Sequence, residues 1–412
     1  MTGRWGRGST LAAVAVLGVA VRWRFLDFQS GDYRTFLSRW YAFISTNGHF
    51  AALHDDSFSN YNTPYLVLLA LTSYLPIPPI VAIKTLSILG DLALAGVAAA
   101  IVLRLRPGAR WAPVAAFGVV LLLPTVVMNS GVWGQCDSLY AAASLACVLC
   151  LLEGRSGAAS AWFGLAFGFK LQAVFLLPAL VAVVIINRHR WVSLLAAPAA
   201  FVATLVPALL AGRSLVSQLM VYPLQITDPS GTGGTVGGPG AGRRPPGGGG
   251  SGFVLNDGQS FTHNAPTPYA WLPADASVLW KYAGLALTVG VVTGLGVWLL
   301  ARGQALSPTQ IVLLAATSTL IIPLLLPEMH ERYFYLAEVL LVVAGFADGW
   351  FWWPAAGMQA ASITTYLSYL LNHTTVPLGW AAVVATASGL IAAVLLLRTL
   401  RAHPPGSPLF VG

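Results

Sequence analysis

Charge is what this chain has least of. Its 412 residues hold 22 Lys and Arg against 14 Asp and Glu, so charged residues make up 9% of it while hydrophobic ones reach 57%. A soluble domain carries about a quarter charged residues to cover its surface, so that class is excluded and a polytopic membrane protein remains. Cysteine is scarce too, at three residues. Cys136, Cys147 and Cys150 form neither a disulfide framework nor a metal-site spacing, and Cys147 and Cys150 share one helix face inside an apolar run as small core residues. P-loop and dinucleotide fingerprints are missing, and no internal repeat is evident. The net charge of +8 does not mark nucleic-acid binding, because no basic face is interleaved with stacking aromatics.

What is present is a series of long apolar runs. They predict an all-α membrane domain over 1–412 with about twelve transmembrane helices, at 10–28, 79–103, 111–128, 138–153, 157–170, 171–187, 191–211, 276–300, 308–326, 333–347, 351–371 and 376–398. The first run has the basic start of a signal peptide, but it runs into Arg22 and Arg24 without a clear cleavage site, which favours an uncleaved helix. Arg4 and Arg7 orient the N-terminus toward the cytoplasm. The same rule brings Arg104, Arg106, Arg110, Arg155, Arg188, Arg190, Arg302, Arg398 and Arg401 to that side. This holds if the run at 64–75 (PYLVLLALTSYL), too short to cross, lies at the interface. Both termini are then cytoplasmic, and the large loops, 27–78, 128–137 and 212–275, are outside in the periplasmic or extracellular space. Within the last, 228–252 reads as a disordered Gly/Pro-rich insertion.

Four polar clusters share that outer side: Ser30–Trp40 (SGDYRTFLSRW) continuing to Ser59–Pro64 (SNYNTP), Asn129–Asp137 (NSGVWGQCD), Phe169–Gln172 (FKLQ) and Pro327–Phe334 (PEMHERYF). Each has a bland reading. Asp32 with Arg34 and Arg39 reads as a solvated interfacial face, Lys170 as a snorkelling side chain, Asp137 as a helix N-cap, and His330-Glu331-Arg332 as a self-satisfied turn. Polar groups at membrane depth are costly, and their gathering on one side favours function. A carboxylate base, cations for an anion and aromatics for a sugar ring suit glycosyl transfer from a phosphate leaving group. The tight cytoplasmic turns hold no nucleotide-binding domain, so a lipid-linked donor is expected.

These motifs, with FSNYNTPYL, FGFKLQAVFLLP and NAPTPYAWLP in the same order, resemble those of GT-C superfamily membrane glycosyltransferases. The closer likeness is to bacterial proteins related to the second GPI-anchor mannosyltransferase, and the more distant one to dolichyl-phosphate-glucose glucosyltransferases. The resemblance runs from Gly31 to about Tyr335, insertion excluded. It implies an inverting hexosyltransferase, using mannose or a similar sugar on polyprenyl phosphate, with a glycan, lipid or protein acceptor and neither cofactor nor divalent metal. By the Gly-Asp-Tyr match Asp32 is the general base. His330 and Arg332, assisted by Lys170, would hold the donor phosphate. Arg39, Asn60, Tyr61, Gln135, Asp137, Gln172, Glu331 and Asn264 would form the substrate site. Thr63 stands where the family has a proline. Asp27 and the His54-Asp55-Asp56 group are left as possible contributors, the last as a weak candidate for Mg²⁺ or Mn²⁺. The competing class is a transporter or lipid-linked-sugar flippase, suggested by Lys84, Asp91, Lys170 and Lys281 within apolar runs. Lys84 and Asp91, seven apart on one helix face, are expected to pair within the bundle.

Overall fold

A computed structural model describes residues 2–227, 261–273 and 275–402. The insertion expected at 228–252 lies outside them. The described residues form helices and connecting turns: α1 (Thr2–Trp23), α2 (Ser38–Thr46), α3 (Thr63–Thr72), α4 (Pro79–Leu105), α5 (Ala112–Leu121), α6 (Pro124–Val127), α7 (Asp137–Leu152), α8 (Ser156–Phe169), α9 (Leu177–Ile186), α10 (Ala196–Leu210), α11 (Leu215–Leu219), α12 (Val221–Thr227), α13 (Leu279–Arg302), α14 (Pro308–Leu325), α15 (Tyr335–Ala347), α16 (Trp352–Leu371) and α17 (Leu378–Arg401). Two π-helical stretches, Tyr33–Leu37 and Met128–Trp133, adjoin α2 and α6.

The fold class is the expected all-helical polytopic membrane bundle, and every apolar run of the sequence is helical. Its spans are less uniform than the sequence suggested. Among the described residues five helical stretches are long and apolar enough to cross a membrane: Pro79–Leu105, Trp191–Leu210, Leu279–Arg302, Pro308–Leu325 and Leu378–Arg401. The helices Ala112–Leu121 and Pro124–Trp133 reach that length only as a pair, bent by 48° between them. Pro124 causes that bend, since proline starts a helix readily but cannot continue the one before it. The run at 64–75 forms the ten-residue α3, too short to span. Asn62 caps α3 by accepting from Thr63 N, and Ser307 with Gln310 closes a capping box on α14. Helix α1 begins and ends earlier than the 10–28 expected, and Arg22 falls inside its last turn.

Contacts fix which helix ends lie together. At one end Arg104 pairs with Glu153 at 2.5 Å, Arg106 Nε donates to the Phe346 carbonyl and Gln310 Nε2 to the Thr399 carbonyl. Most of the arginines expected on a single side gather there. The polar clusters of the sequence lie at the opposite end.

Small residues let the helices approach closely. A Cβ on Gly164 of α8 would meet the Ala197 carbonyl of α10 at 2.1 Å, and one on Gly90 of α4 would meet Ser138 Oγ of α7 at 2.4 Å. Several buried charges of the bundle are held by partners. Arg22 Nε donates to Asp91 Oδ2 at 2.7 Å, and its other nitrogens reach the Gly18 and Leu121 carbonyls at 2.8 Å. Lys84 donates to the Phe25 and Phe28 carbonyls, where the chain leaves α1, and Lys281 pairs with Glu328. Lys84 and Asp91 therefore take separate partners. Cys147 and Cys150 lie in the main apolar core.

Candidate active site

The polar end of the bundle is organised around Asp32. The segment carrying it is held by Ser30, whose hydroxyl donates to the Trp133 carbonyl at 2.7 Å and accepts from Tyr33 N at 3.1 Å. Trp133 closes the second π-helical stretch, and Gly134 leaves it at φ +78°, a conformation that suits glycine. Gln135 N then returns to the Asn129 carbonyl at 2.9 Å, which turns the Gln135 side chain toward Asp32.

The Asp32 carboxylate, 8% exposed, accepts four hydrogen bonds. Oδ2 takes Trp133 Nε1 at 3.0 Å, Gln135 Nε2 at 2.5 Å and Arg332 Nη1 at 2.6 Å. Oδ1 takes the Tyr369 hydroxyl at 2.5 Å. Burial pushes the Asp32 carboxyl up, but the Arg332 charge and the hydroxyl, guanidinium and indole donors outweigh it and hold the group below the ordinary carboxylate range. Burial also works against the Arg332 charge, yet Asp32 and its neighbours keep the guanidinium firmly protonated.

Arg332 enters on a 3₁₀ turn, Glu331–Phe334, placed by backbone pairing of two loops. His263 N donates to the Met329 carbonyl and Glu328 N to the Phe261 carbonyl. Its guanidinium also lies 5.3 Å from the Trp133 ring centre. Arg332 Nε is buried with no hydrogen-bond partner among the described residues, and buried donors are rarely left so.

Beside this pair is a narrow cleft, partly open to solvent, lined by Tyr61, Lys170, Gln172, Tyr222, Gln225 and Arg332 among others. Lys170 stands in extended backbone between α8 and the next 3₁₀ turn, so its side chain is presented where the two helical runs break. It pairs with Asp137, which also accepts from Asn129 Nδ2 at 2.7 Å. Tyr61 connects the halves of the site, its hydroxyl donating to Gln135 Oε1 at 3.4 Å and its ring centre 5.7 Å from Lys170 Nζ.

The structure thus brings Asp32, Tyr61, Gln135, Asp137, Lys170, Gln172 and Arg332 to one end of the bundle as one contact network or pocket wall. Asp137 is the first residue of α7 but does not cap it, because its carboxylate is taken by Lys170 and Asn129. Glu331 is buried beside Arg332, and burial raises its carboxyl to about 7. Other expected residues lie apart. The His330 ring stacks on His263 at 4.7 Å and does not line the pocket. Arg39, Asn60 and Asp27 are exposed, and Asn60 offers its backbone carbonyl to Gln225. Asn264, at φ +59°, donates to the Thr365 carbonyl of α16 and so ties its loop to that helix. Asp55 accepts from Ser57 N at 2.7 Å, and both Asp55 and Asp56 act on the Arg213 charge. Among the described residues no three His, Cys, Asp or Glu side chains group as metal ligands.

Sequence reasoning did not select Trp133, Tyr369, Tyr222 or Gln225. Trp133 lay inside a quoted motif; the other three sit on helices whose aromatic and polar residues carry no local signal.

Together these features define a multi-pass helical membrane protein with a buried carboxylate–guanidinium pair beside a cation-lined pocket. Residues 58–230 match the model of Glycosyltransferase family 87, a span that includes Tyr61, Gln135, Asp137 and Lys170 but neither Asp32 nor Arg332. No curated protein matches the chain by sequence. Among solved structures it is similar to ArnT from Cupriavidus metallidurans, bound to undecaprenyl phosphate, at 14% identity and a TM-score of 0.46, covering 94% of this chain and 76% of that one.

Proposed function

We propose that the protein is an inverting glycosyltransferase that moves a hexose, mannose or a similar sugar, from a polyprenyl-phosphate donor to an acceptor hydroxyl at the outer face of the membrane. The observation that carries this reading is the 2.6 Å contact of Asp32 with Arg332, whose guanidinium also lines the pocket that Lys170 enters. A base and two cations then serve one substrate. The family 87 match over 58–230 supports the same reaction class.

In the reaction, a carboxylate oxygen of Asp32 takes the acceptor hydroxyl proton as that oxygen bonds to the anomeric carbon. The bond from that carbon to the phosphate oxygen breaks, and the electron pair leaves with the phosphate. Arg332, through its unused Nε–H, and Lys170 stabilise the departing charge. A single displacement of this kind inverts the anomeric centre. His330 takes a supporting part, holding with His263 the loop that presents Arg332. The transporter reading drew on charges within apolar runs, and Lys84, Asp91 and Lys281 are each tied to fixed partners inside the bundle.

The test uses the purified full chain in proteoliposomes with undecaprenyl-phosphate mannose and a mannose oligosaccharide acceptor. Release of undecaprenyl phosphate coupled to lengthening of the oligosaccharide is expected. Movement of the labelled donor between leaflets without a new glycosidic bond would instead support the transporter.

A further inference from the structure

The two oxygens of Asp32 are not equivalent. Oδ2 is occupied by Trp133, Gln135 and Arg332, whereas Oδ1 meets a single donor, the Tyr369 hydroxyl at 2.5 Å. A carboxylate offers about two lone-pair directions on each oxygen. Oδ2 has none left, and Oδ1 keeps one open.

Tyr369 sits in the last turn of α16, near the far end of the chain from Asp32. Its ring stacks on Trp133, with centres 4.7 Å apart and planes 22° apart, so its position is set independently of the hydroxyl. It is 36% exposed, against 8% for Asp32, so the donor to Oδ1 is the more solvent-accessible of the two groups. The pocket holding Lys170 is joined to the carboxylate through Arg332 at Oδ2, and Tyr369 is not among its walls.

Resting on the transferase reading, we infer that Tyr369 is a positioning residue that orients Oδ1, the Asp32 oxygen left with a free lone pair, and marks the side from which the acceptor hydroxyl enters. The carboxylate then divides the site. Oδ2 stays bound to the guanidinium that meets the leaving phosphate, and Oδ1 receives the acceptor proton. Because the Tyr369 hydroxyl donates to an ionised carboxylate, it also steadies the charged form and fixes the plane of the group.

The experiment compares the full-length wild type with Tyr369→Phe, which keeps the ring on Trp133 and removes only the hydroxyl. The Asp32 carboxylate is followed by infrared difference spectroscopy as a function of pH, with Asp32→Asn subtracted. Turnover is read with undecaprenyl-phosphate mannose and a mannose oligosaccharide. In Tyr369→Phe the carboxylate band is expected to titrate at higher pH. The acid limb of kcat should move with it, and kcat should fall roughly ten- to hundredfold. The KM for donor should stay unchanged while the KM for acceptor rises. Tyr369→Leu, which also removes the stacking, should lose protein stability in addition.

A carboxylate that titrates at the same pH in wild type and Tyr369→Phe overturns the inference, whatever the turnover. So does a Tyr369→Phe enzyme whose KM rises for donor instead of acceptor. Failure of the parent reading looks different: Asp32→Asn turns over as fast as wild type even though the Tyr369→Phe band has moved. That outcome removes Asp32 as the base, and with it the role inferred for Tyr369.

Discussion

Asp32 and Arg332 lie 300 positions apart in the chain and meet at 2.6 Å. Asp32 follows the first helix and Arg332 precedes α15, so closing this pair requires nearly the whole bundle to be assembled. The contact also sets the charge balance of the site. A buried carboxylate stays ionised there because a guanidinium and three neutral donors surround it.

The first prediction concerns Asp32 itself. Asp32→Asn keeps the shape but removes the base, and transfer from undecaprenyl-phosphate mannose should fall roughly 10²–10⁴-fold. Binding of undecaprenyl phosphate, measured by calorimetry in detergent, should survive. Undiminished turnover in this variant would take Asp32 out of the base role.

Arg332 should matter in two ways. Arg332→Lys keeps a positive charge but loses the planar fork, so the donor KM should rise on the order of tenfold. Asp32 is held low by Arg332 against the opposing effect of burial, so weakening that partner raises its carboxyl. Activity requires the ionised form and is lost as pH falls; the acid limb of the pH–rate profile should therefore move to higher pH in this variant. A limb that stays in place would show that Arg332 does not govern the base.

Glu331 makes the opposite pH statement. Its folded carboxyl is raised by burial to about 7, from an ordinary 4.5, so the folded chain binds a proton that the unfolded chain releases. The stabilisation is full below about pH 4.5 and is lost as pH rises through about 7. Thermal unfolding in detergent across this range should give a falling Tm for wild type. The slope should flatten in Glu331→Gln, which mimics the protonated group. An equal slope in both proteins would assign the pH dependence elsewhere.

The Arg22–Asp91 pair should act on stability alone. Both side chains are fully buried, so Arg22→Met strands a carboxylate and should cost about 3–5 kcal/mol. Adding Asp91→Leu should restore much of that loss, because a pair removed whole leaves no bare charge. Refolded fractions of either variant should turn over at the wild-type rate per folded molecule. A double variant no more stable than the single one would contradict this account.

The sequence revealed the bundle, and drew attention to several residues that meet at its polar end, for one physical reason: polarity stands out in apolar surroundings. Lys170, Gln135, Asp137 and Arg332 were visible because a charge or amide between apolar runs needs a partner. Tyr369 was hidden, because an aromatic residue at the end of a membrane helix is what an interfacial belt supplies anyway. His330 misled in the other direction. Its neighbour Arg332 reaches the pocket, while the imidazole is spent on stacking with His263, a pairing between loops that spacing cannot reveal. Arg39 was selected because it shares a motif with Asp32, yet it lies on the exposed side of α2. Broken helices were equally hard to read, since a run such as 111–128 gives the same hydropathy whether it is straight or bent by 48° at Pro124.

Both segments that present the carboxylate and its indole partner are π-helical, Tyr33–Leu37 directly after Asp32 and Met128–Trp133 ending on Trp133. A π-helical turn carries one more residue than an α-helical turn. Such a site is therefore tuned by length as much as by side-chain identity. Deleting one residue between 128 and 132 would let that stretch relax toward ordinary helix and change how the indole is presented to the carboxylate. Where the carboxylate and the indole meet thus depends on the residue count of both stretches as well as on the side chains they carry.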